Sequence, residues 1–308
     1  MQNKMTNLSV KIGRLELKNP VMVASGTFGY SEEFKDFMDL KKLGAVVSKT
    51  ITLKPRKGNP APRTCETPSG MLNSIGLENP GLDSFIKDKL PLLKKPGIPI
   101  IVSIASQGEM EEFVILAEEL EKIKEVSAIE LNISCPNIKE KNLLISQDEQ
   151  ATFDLVKKVR RVTSKTLITK LSPNVTSIIE IAQAAEKAGS DAVSLINTLT
   201  GMSIDLDNRK PKIAAITGGL SGPAIRPVAV RMCWEVARNI NIPIIGMGGI
   251  MDAQSALEFI IAGASAVSVG TANFINPGIC LEIIEGIKDY LNKNKMDNIR
   301  ELIGNLNT

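Results

Sequence analysis

The feature that most constrains this chain is a repeated alternation between short apolar runs and longer amphipathic segments. Short runs of valine, isoleucine and leucine indicate buried strands, whereas apolar residues at intervals of three and four indicate one face of a helix. In residues 110–124, for example, Phe113, Leu116 and Leu120 recur at helical spacing. Eight such strand–helix units in 308 residues predict an α/β fold of the (β/α)8, or TIM-barrel, class, in which helices surround a closed parallel sheet.

The predicted elements form one series, without a linker or a shift in composition, so we expect residues 1–308 to be a single barrel domain. The strands are expected at 21–24, 45–48, 100–104, 128–131, 167–170, 192–196, 242–246 and 266–269. The helices are expected at 32–40, from 82 onward, and at 110–124, 149–162, 176–187, 223–238, 253–261, 277–291 and 296–303. A β-hairpin at 8–12 and 15–17 precedes them and could cover one end of the barrel.

An open, doubly wound sheet is the alternative to the barrel. That fold usually carries Gly-x-Gly-x-x-Gly at an early strand–helix turn, and the sequence has no such motif there, which favours the barrel.

The overall composition excludes several classes of function. A formal net charge of +3, with both signs interspersed, argues against nucleic acid as a partner. No apolar stretch reaches the length of a membrane span, and the start of the chain lacks a signal core. The four cysteines are far apart and show no metal or redox spacing, which predicts a reducing cytoplasm and no metal site. Histidine is absent, so proton transfer must use cysteine, lysine, tyrosine or a carboxylate.

Residues with chemical potential collect where the predicted strands end. In a barrel these carboxyl ends form one face, which carries the active site. The set is Ser25 and Gly26, Lys49 and Thr50, Ser103, Asn132 with Cys135, Lys170, Asn197 and Thr198, Gly248 and Gly249, and Gly270 and Thr271. A buried ammonium is costly unless it meets an anion, although each lysine head could also reach water. A lone cysteine is more often a small apolar residue of the core.

Glycines and two long connections extend this face. The glycines after the seventh and eighth strands, with Gly222, would let backbone N–H groups approach a phosphate, although singly each is a turn residue. The connections at about 51–81 and 197–222 show no periodicity and are expected to line or cover a site. Asn73 and Ser74 in the first of them could donate to an anionic or amide-rich substrate.

Six stretches of sequence match a known family. They are Asn19-Pro-Val-Met-Val-Ala-Ser-Gly-Thr-Phe-Gly29, Ser48-Lys-Thr-Ile-Thr52, Thr67-Pro-Ser-Gly-Met-Leu-Asn-Ser-Ile-Gly-Leu77, Glu130-Leu-Asn-Ile-Ser-Cys-Pro-Asn137, Asn197-Thr-Leu-Thr-Gly-Met-Ser-Ile-Asp205 and Gly218-Gly-Leu-Ser-Gly-Pro223. From about Leu8 to Leu291 the chain resembles the dihydroorotate dehydrogenases of the NAD-linked type, class 1B. Cys135 and the run at 197–202 separate this type from its relatives. The membrane-bound class typically has a serine base and an N-terminal extension.

The resemblance implies a flavoprotein oxidoreductase of de novo pyrimidine (UMP) biosynthesis that oxidises (S)-dihydroorotate to orotate. FMN would be the phosphate ligand, held by Ser25, Lys49, Thr50, Ser103, Asn132, Lys170, Ile196, Gly222, Gly248, Gly249, Gly270 and Thr271. The substrate would be bound by Lys49, Asn73, Ser74, Ile75, Gly76, Leu77, Asn132, Asn197 and Thr198. Cys135 would take a proton from ring carbon 5 while hydride leaves carbon 6 for the flavin.

The resemblance also implies partners. A separate subunit with FAD and a 2Fe–2S cluster would pass electrons to NAD, and two catalytic subunits would form a dimer within a cytoplasmic heterotetramer. Two departures stand out. Ser103 replaces the asparagine that usually contacts the flavin, and residues 139–144 replace a Gly-Gly pair, which could alter the lid over Cys135.

Three alternatives stay open at this point. An IMP-dehydrogenase-like barrel would use its loop cysteine for covalent attack and would bind no flavin. The soluble, fumarate-linked dihydroorotate dehydrogenase would work without a partner, although the run at 197–205 speaks against it. A non-catalytic barrel would retain the glycines but would not need Cys135 and Lys170 together.

Overall fold

Eight parallel strands form a closed barrel in the computed structural model, which describes residues 6–134, 139–140 and 143–307. The barrel strands, numbered one to eight in chain order, are Val21–Val23, Val46–Val47, Ile100–Ile104, Val126–Asn132, Thr166–Lys170, Ala192–Leu195, Ile244–Gly246 and Ala266–Val269. Each strand pairs with its neighbours in the sequence, the first pairs with the eighth, and a parallel bridge between Met22 and Ala45 closes the ring. The predicted (β/α)8 fold is confirmed.

Helices follow most of the barrel strands, close to where the periodicity places them. The α-helices and the π-helical segment among them are Gly81–Ser84, Phe85–Lys89 (π), Leu90–Lys94, Met110–Glu121, Glu149–Arg160, Ile178–Lys187, Arg226–Ala237, Ala253–Ile261, Ala272–Ile275 and Ile279–Lys293. Short 3-10 turns occur at Ile145–Gln147 and Pro223–Ile225. None of the helices in the described ranges combines the length and the apolar character that a membrane crossing requires.

The first connection differs from the prediction, because it contains no α-helix at 32–40. Two 3-10 turns, Glu32–Phe34 and Leu40–Lys42, take its place. Ser31 precedes the first turn in a left-handed conformation, with φ at 75°, and the rings of Phe28 and Phe34 stack at 4.0 Å. This aromatic contact holds the segment compact without a regular helix. The predicted final helix is likewise reduced to a 3-10 turn, Ile299–Glu301.

The amino-terminal hairpin covers the end of the barrel at which the strands begin, opposite their carboxyl ends. Its strands, Val10–Ile12 and Leu15–Leu17, pair antiparallel as predicted. The backbone N–H of Arg14 donates to Thr166 Oγ1 at 3.1 Å, at the start of the fifth barrel strand. A Cβ at Gly13 would lie 2.6 Å from that of Asp191, so the turn packs against the amino ends of the barrel strands.

The two long connections are not structureless. Four antiparallel strands, Thr64–Thr67, Gly70–Asn73, Thr217–Ser221 and Leu199–Met202, join them into a second sheet at the carboxyl end of the barrel. Two smaller antiparallel pairs are Ile204–Asp205 with Lys210–Pro211, and Lys139–Glu140 with Leu143–Leu144. The connections that were expected to line or cover a site thus contain strands, although their sequences show no periodicity.

The amphipathic helix Met110–Glu121 offers a test of the packing around the barrel. Phe113 is completely buried on its inner face, whereas Ile115 is 42% exposed. Truncating a buried phenylalanine removes its transfer free energy and leaves a cavity. We therefore expect Phe113→Ala to lower the free energy of unfolding by about 3–5 kcal/mol in urea titrations. Ile115→Ala, the control on the same helix, should change it by about 0.5 kcal/mol or less; equal effects would contradict this packing.

Candidate active site

A cavity of about 530 Å³ opens at the carboxyl ends of the barrel strands, under the second sheet. All the site residues predicted from the sequence that lie in the described ranges line this cavity, with the exception of Ser103. They are Ser25, Lys49, Thr50, Asn73, Ser74, Ile75, Gly76, Leu77, Asn132, Lys170, Ile196, Asn197, Thr198, Gly222, Gly248, Gly249, Gly270 and Thr271. Cys135 lies outside the described residues, and Ser134 before it lines the cavity.

Ser103 lies behind the cavity wall rather than on it. It is completely buried, and its hydroxyl oxygen is 3.0 Å from that of Thr50. The Thr50 hydroxyl also accepts a long hydrogen bond, 3.5 Å, from Asn132 Nδ2. The structure therefore does not support the predicted direct contact between Ser103 and a flavin. Ser103 instead contacts Thr50, which does line the cavity.

Lys170 places a buried positive charge at the cavity. The side chain ends the fifth barrel strand and is only 6% exposed. Its ammonium donates to Ser25 Oγ at 3.1 Å and has no ion-pair partner in the part of the chain that the structure describes. Because a buried ammonium without an anion is costly, this arrangement suits a ligand that carries or develops negative charge.

Lys49, at the end of the second strand, supplies a second positive charge. Burial lowers the pKa of this ammonium below its usual value, nearby Glu78 acts in the opposite direction, and Arg63 reinforces the lowering. Arg63 and Glu78 form an ion pair with each other, which leaves Lys49 without an ion-pair partner among the described residues. An anion in the cavity would compensate for the loss of hydration of this ammonium.

Three consecutive backbone N–H groups of the cavity lining have no hydrogen-bond partner among the described residues. The amides of Ile75, Gly76 and Leu77 donate to no group in the described ranges, and all three residues line the cavity. Gly76 and Leu77 have φ values of 73° and 57°, in the left-handed region. Successive N–H groups in such a turn form a concave site for an anion. The segment thus offers backbone donors, whereas the sequence had suggested side-chain donors.

Side-chain amides surround the rest of the cavity. Asn197 Nδ2 donates to Asn132 Oδ1 at 3.4 Å, and Asn73 Nδ2 donates to the backbone oxygen of Gly219 at 3.2 Å. The N–H of Thr198 donates to Asn197 Oδ1 at 2.8 Å. Amide groups both donate and accept hydrogen bonds, so they match a ring with alternating N–H and C=O groups.

Glycines form another part of the wall, near the seventh and eighth strands. Gly222, Gly248 and Gly249 have φ values of 100°, 127° and 72°, and a Cβ at Gly249 would lie 2.8 Å from the backbone oxygen of Gly222. The N–H groups of Gly248, Gly249 and Thr271 donate to nothing within the described ranges. Unpaired backbone N–H groups that a ligand can approach closely suit a phosphate.

Two residues with a structural role at the site were missed in the sequence. Asn174 Nδ2 donates to the Thr198 backbone oxygen at 3.0 Å, and Asn174 Oδ1 accepts from the Thr200 N–H at 2.9 Å. Its position shortly after the fifth strand was an available signal. Asn59 also lines the cavity, but it lies in the proline-rich part of the first connection, where no pattern marks it.

Comparison with known proteins decides the family. The family model for dihydroorotate dehydrogenase matches residues 7–291. The chain belongs to this family. It is 53% identical over 302 residues to the dihydroorotate dehydrogenase B (NAD(+)), catalytic subunit, of Geotalea uraniireducens, covering 98% of this chain and 99% of that protein. The subunits of the same name from Geotalea daltonii and Bacteroides thetaiotaomicron are 55% identical over 300 residues and 49% identical over 302 residues, with coverage of at least 97% on both sides.

Membership of the dihydroorotate dehydrogenase family confirms the resemblance and the assignment as an oxidoreductase, and it implies flavin chemistry. The residues in the cavity fit a flavin mononucleotide. The unpaired N–H groups of Gly248, Gly249 and Thr271 suit its phosphate, and the buried Lys170 ammonium suits an electron-accepting ring. Lys49 and the N–H groups at 75–77 line the same cavity and suit a second group that carries negative charge.

Proposed function

We propose that this chain is the catalytic subunit of an NAD-linked dihydroorotate dehydrogenase, which oxidises (S)-dihydroorotate to orotate in de novo pyrimidine biosynthesis. The observation that carries the proposal is the combination, in one cavity, of two lysines and three adjacent N–H groups that have no carboxylate or acceptor partner among the described residues. Such a cavity selects a small anionic substrate beside a second ligand that takes up negative charge. The names of the relatives support the same substrate and the link to NAD.

FMN is the proposed cofactor. Its phosphate would be held by the N–H groups of Gly248, Gly249, Gly270 and Thr271, beside Gly222. Ser25, Lys49, Thr50, Asn132, Lys170 and Ile196 would line the place of its ring. Bound FMN supplies a hydride acceptor for carbon 6 of the substrate. Lys170 would supply positive charge beside the ring.

The substrate would bind through its carboxylate and its ring. The Lys49 ammonium and the N–H groups of Ile75, Gly76 and Leu77 would hold the carboxylate, because charge-assisted hydrogen bonds are among the strongest polar contacts. The side chains of Asn73, Asn132, Asn197 and Thr198, with Ser74, would position the ring. Carbon 5 would then be held at the place where a base can take its proton.

Cys135 is the proposed base. It lies outside the described residues, so this role rests on the sequence. The chain has no histidine, and a thiolate, with an ordinary pKa of about 8.5, is a usable base near neutral pH when its surroundings tune it. Removal of the carbon 5 proton by this thiolate, with loss of hydride from carbon 6, would form the double bond of orotate.

The electrons would leave through a partner. The relatives are named catalytic subunits, which implies a separate electron-transfer subunit. We propose that this subunit carries FAD and a 2Fe–2S cluster, passes electrons to NAD, and joins a dimer of catalytic chains in a cytoplasmic heterotetramer.

Orotate formation tests the proposed function. The purified chain, supplied with FMN and an artificial electron-accepting dye, should convert dihydroorotate to orotate, detected by its ultraviolet absorbance. Without FMN the rate should fall to background, because the dye would then have no reduced flavin to oxidise. Absence of orotate from a protein that has bound FMN would refute the assignment. Consumption of IMP with NAD would instead support the covalent-cysteine barrel.

A further inference from the structure

We propose that Asn59 is a positioning residue, which orients the N–H groups of Ile75 and Gly76 for the carboxylate of the substrate. This inference rests on the proposed function, because it assigns a supporting residue to the proposed carboxylate site. Asn59 lies outside the six stretches that carry the resemblance. It lies fifteen residues before Ser74, which begins the segment 74–77 of the cavity lining.

Asn59 makes three hydrogen bonds to two consecutive residues of that segment. Its side-chain Nδ2 donates to the Ser74 backbone oxygen at 3.1 Å and to Ser74 Oγ at 2.7 Å. Its own backbone N–H donates to the Ile75 oxygen at 3.0 Å. An asparagine amide has two N–H donors, and both have an acceptor here. Both carbonyls of the segment are therefore directed toward Asn59.

The direction of these carbonyls determines the direction of the N–H groups. In a trans peptide unit the C=O of one residue and the N–H of the next point to opposite sides of the chain, because the unit is planar. With the oxygens of Ser74 and Ile75 turned toward Asn59, the N–H groups of Ile75 and Gly76 point away from it. These are two of the three cavity-lining N–H groups that have no partner in the described ranges.

The segment at Gly58 and Asn59 packs closely against the segment at Ile75 and Gly76. A Cβ at Gly76 would lie 2.5 Å from Asn59 Oδ1 and 2.7 Å from Asn59 N, and one at Gly58 would lie 2.4 Å from the Ile75 oxygen. Glycine on each side thus permits the close approach that the hydrogen bonds require. Asn59 is half-buried and lines the cavity itself, so water could replace its amide only imperfectly.

The test compares a charged and an uncharged ligand. Dissociation constants of orotate and of orotamide, its neutral amide, are measured from the spectrum of bound FMN in the wild type, Asn59→Ala and Asn59→Asp. Loss of the amide donors should weaken orotate binding about tenfold in Asn59→Ala. Binding of orotamide should weaken by less than about threefold, because orotamide lacks the full negative charge that the N–H groups recognise. FMN content should stay unchanged.

The charged variant and one control variant make the result more specific. Asn59→Asp keeps the shape of the side chain but places negative charge beside the anion. It should therefore weaken orotate binding more than Asn59→Ala does. Asn239→Ala is the matched control, because its Nδ2 also donates to a backbone oxygen, that of Glu235 at 2.8 Å, on an exposed helix end before the seventh strand. It should bind orotate as the wild type does.

Each failure has a distinct meaning. Wild-type protein that binds FMN but not orotate would overturn the proposed function and, with it, the role of Asn59. If the wild type binds orotate and Asn59→Ala binds it equally well, the role of Asn59 is overturned while the proposed function stands. An equal loss for orotate and orotamide, with a lowered melting temperature, would show that Asn59 supports the fold rather than the anion site, and would also overturn the inference.

Discussion

Replacement of Cys135 by alanine is expected to reduce the turnover of dihydroorotate at neutral pH by a factor of about 10²–10⁴, the usual contribution of a positioned base. FMN content should not change, because Cys135 is not among the residues proposed to hold the flavin. Without histidine, the chain has no ordinary neutral-pH base to replace the thiolate. The measurement is the steady-state rate of orotate formation together with the flavin-to-protein ratio.

The other cysteines provide the comparison. Burial raises the pKa of Cys233 and of Cys280 to about 12, so these thiols stay protonated and inert at neutral pH. Cys65 is half-buried on a strand of the second sheet and does not belong to the residues that line the cavity. Cys65→Ala should therefore turn over at the wild-type rate. Unchanged turnover in Cys135→Ala would remove cysteine from the mechanism.

Replacement of Lys49 by methionine is expected to raise the dissociation constant of orotate by about 10²-fold, because truncating one partner of a buried charge pair costs about 2–5 kcal/mol. The ligand-free protein should become slightly more stable. In the wild type, burial lowers the pKa of the Lys49 ammonium in the folded chain, so the unfolded chain binds this proton more tightly. The ammonium therefore destabilises the fold at neutral pH, and that cost disappears only above the ordinary lysine pKa of about 10.4.

The same shift predicts a pH dependence of binding. Orotate affinity of the wild type should fall as the pH rises through the lowered pKa of Lys49, within the alkaline range below about 10.4. Lys49→Arg should lose this dependence, because a guanidinium keeps its charge throughout that range. Lys57→Met, at an exposed lysine of the same connection, is the control and should retain it. Orotate binding that stays constant throughout this alkaline range in the wild type would contradict the role of Lys49.

The strand ends made the site predictable. Because the carboxyl ends of parallel strands meet on one face, residues as distant in sequence as Ser25 and Lys170 could be placed together from the pattern alone, and they are in hydrogen-bond contact. The third strand ends at Ile104, as predicted, and Ser103 one residue before that end is completely buried, with its hydroxyl against Thr50. Ser103 therefore lies within the strand and not at its mouth.

The second sheet and the anion site could not be predicted in this way. Asn73 and Gly219, which pair in that sheet, are 146 residues apart, and the run Thr217–Ser221 contains two glycines with little strand propensity. The N–H groups at 75–77 depend on the orientation of peptide units, which side-chain patterns do not encode. The support from Asn59 became visible only through its hydrogen bonds.

The most direct test of the central claim is one spectrum. The purified chain is loaded with FMN, oxygen is removed, and the visible absorbance is recorded before and after addition of dihydroorotate. The account predicts flavin bands that bleach on addition, with one orotate formed for each flavin reduced. A protein that stays colourless after FMN is supplied, or flavin bands that dihydroorotate leaves unchanged, would contradict it.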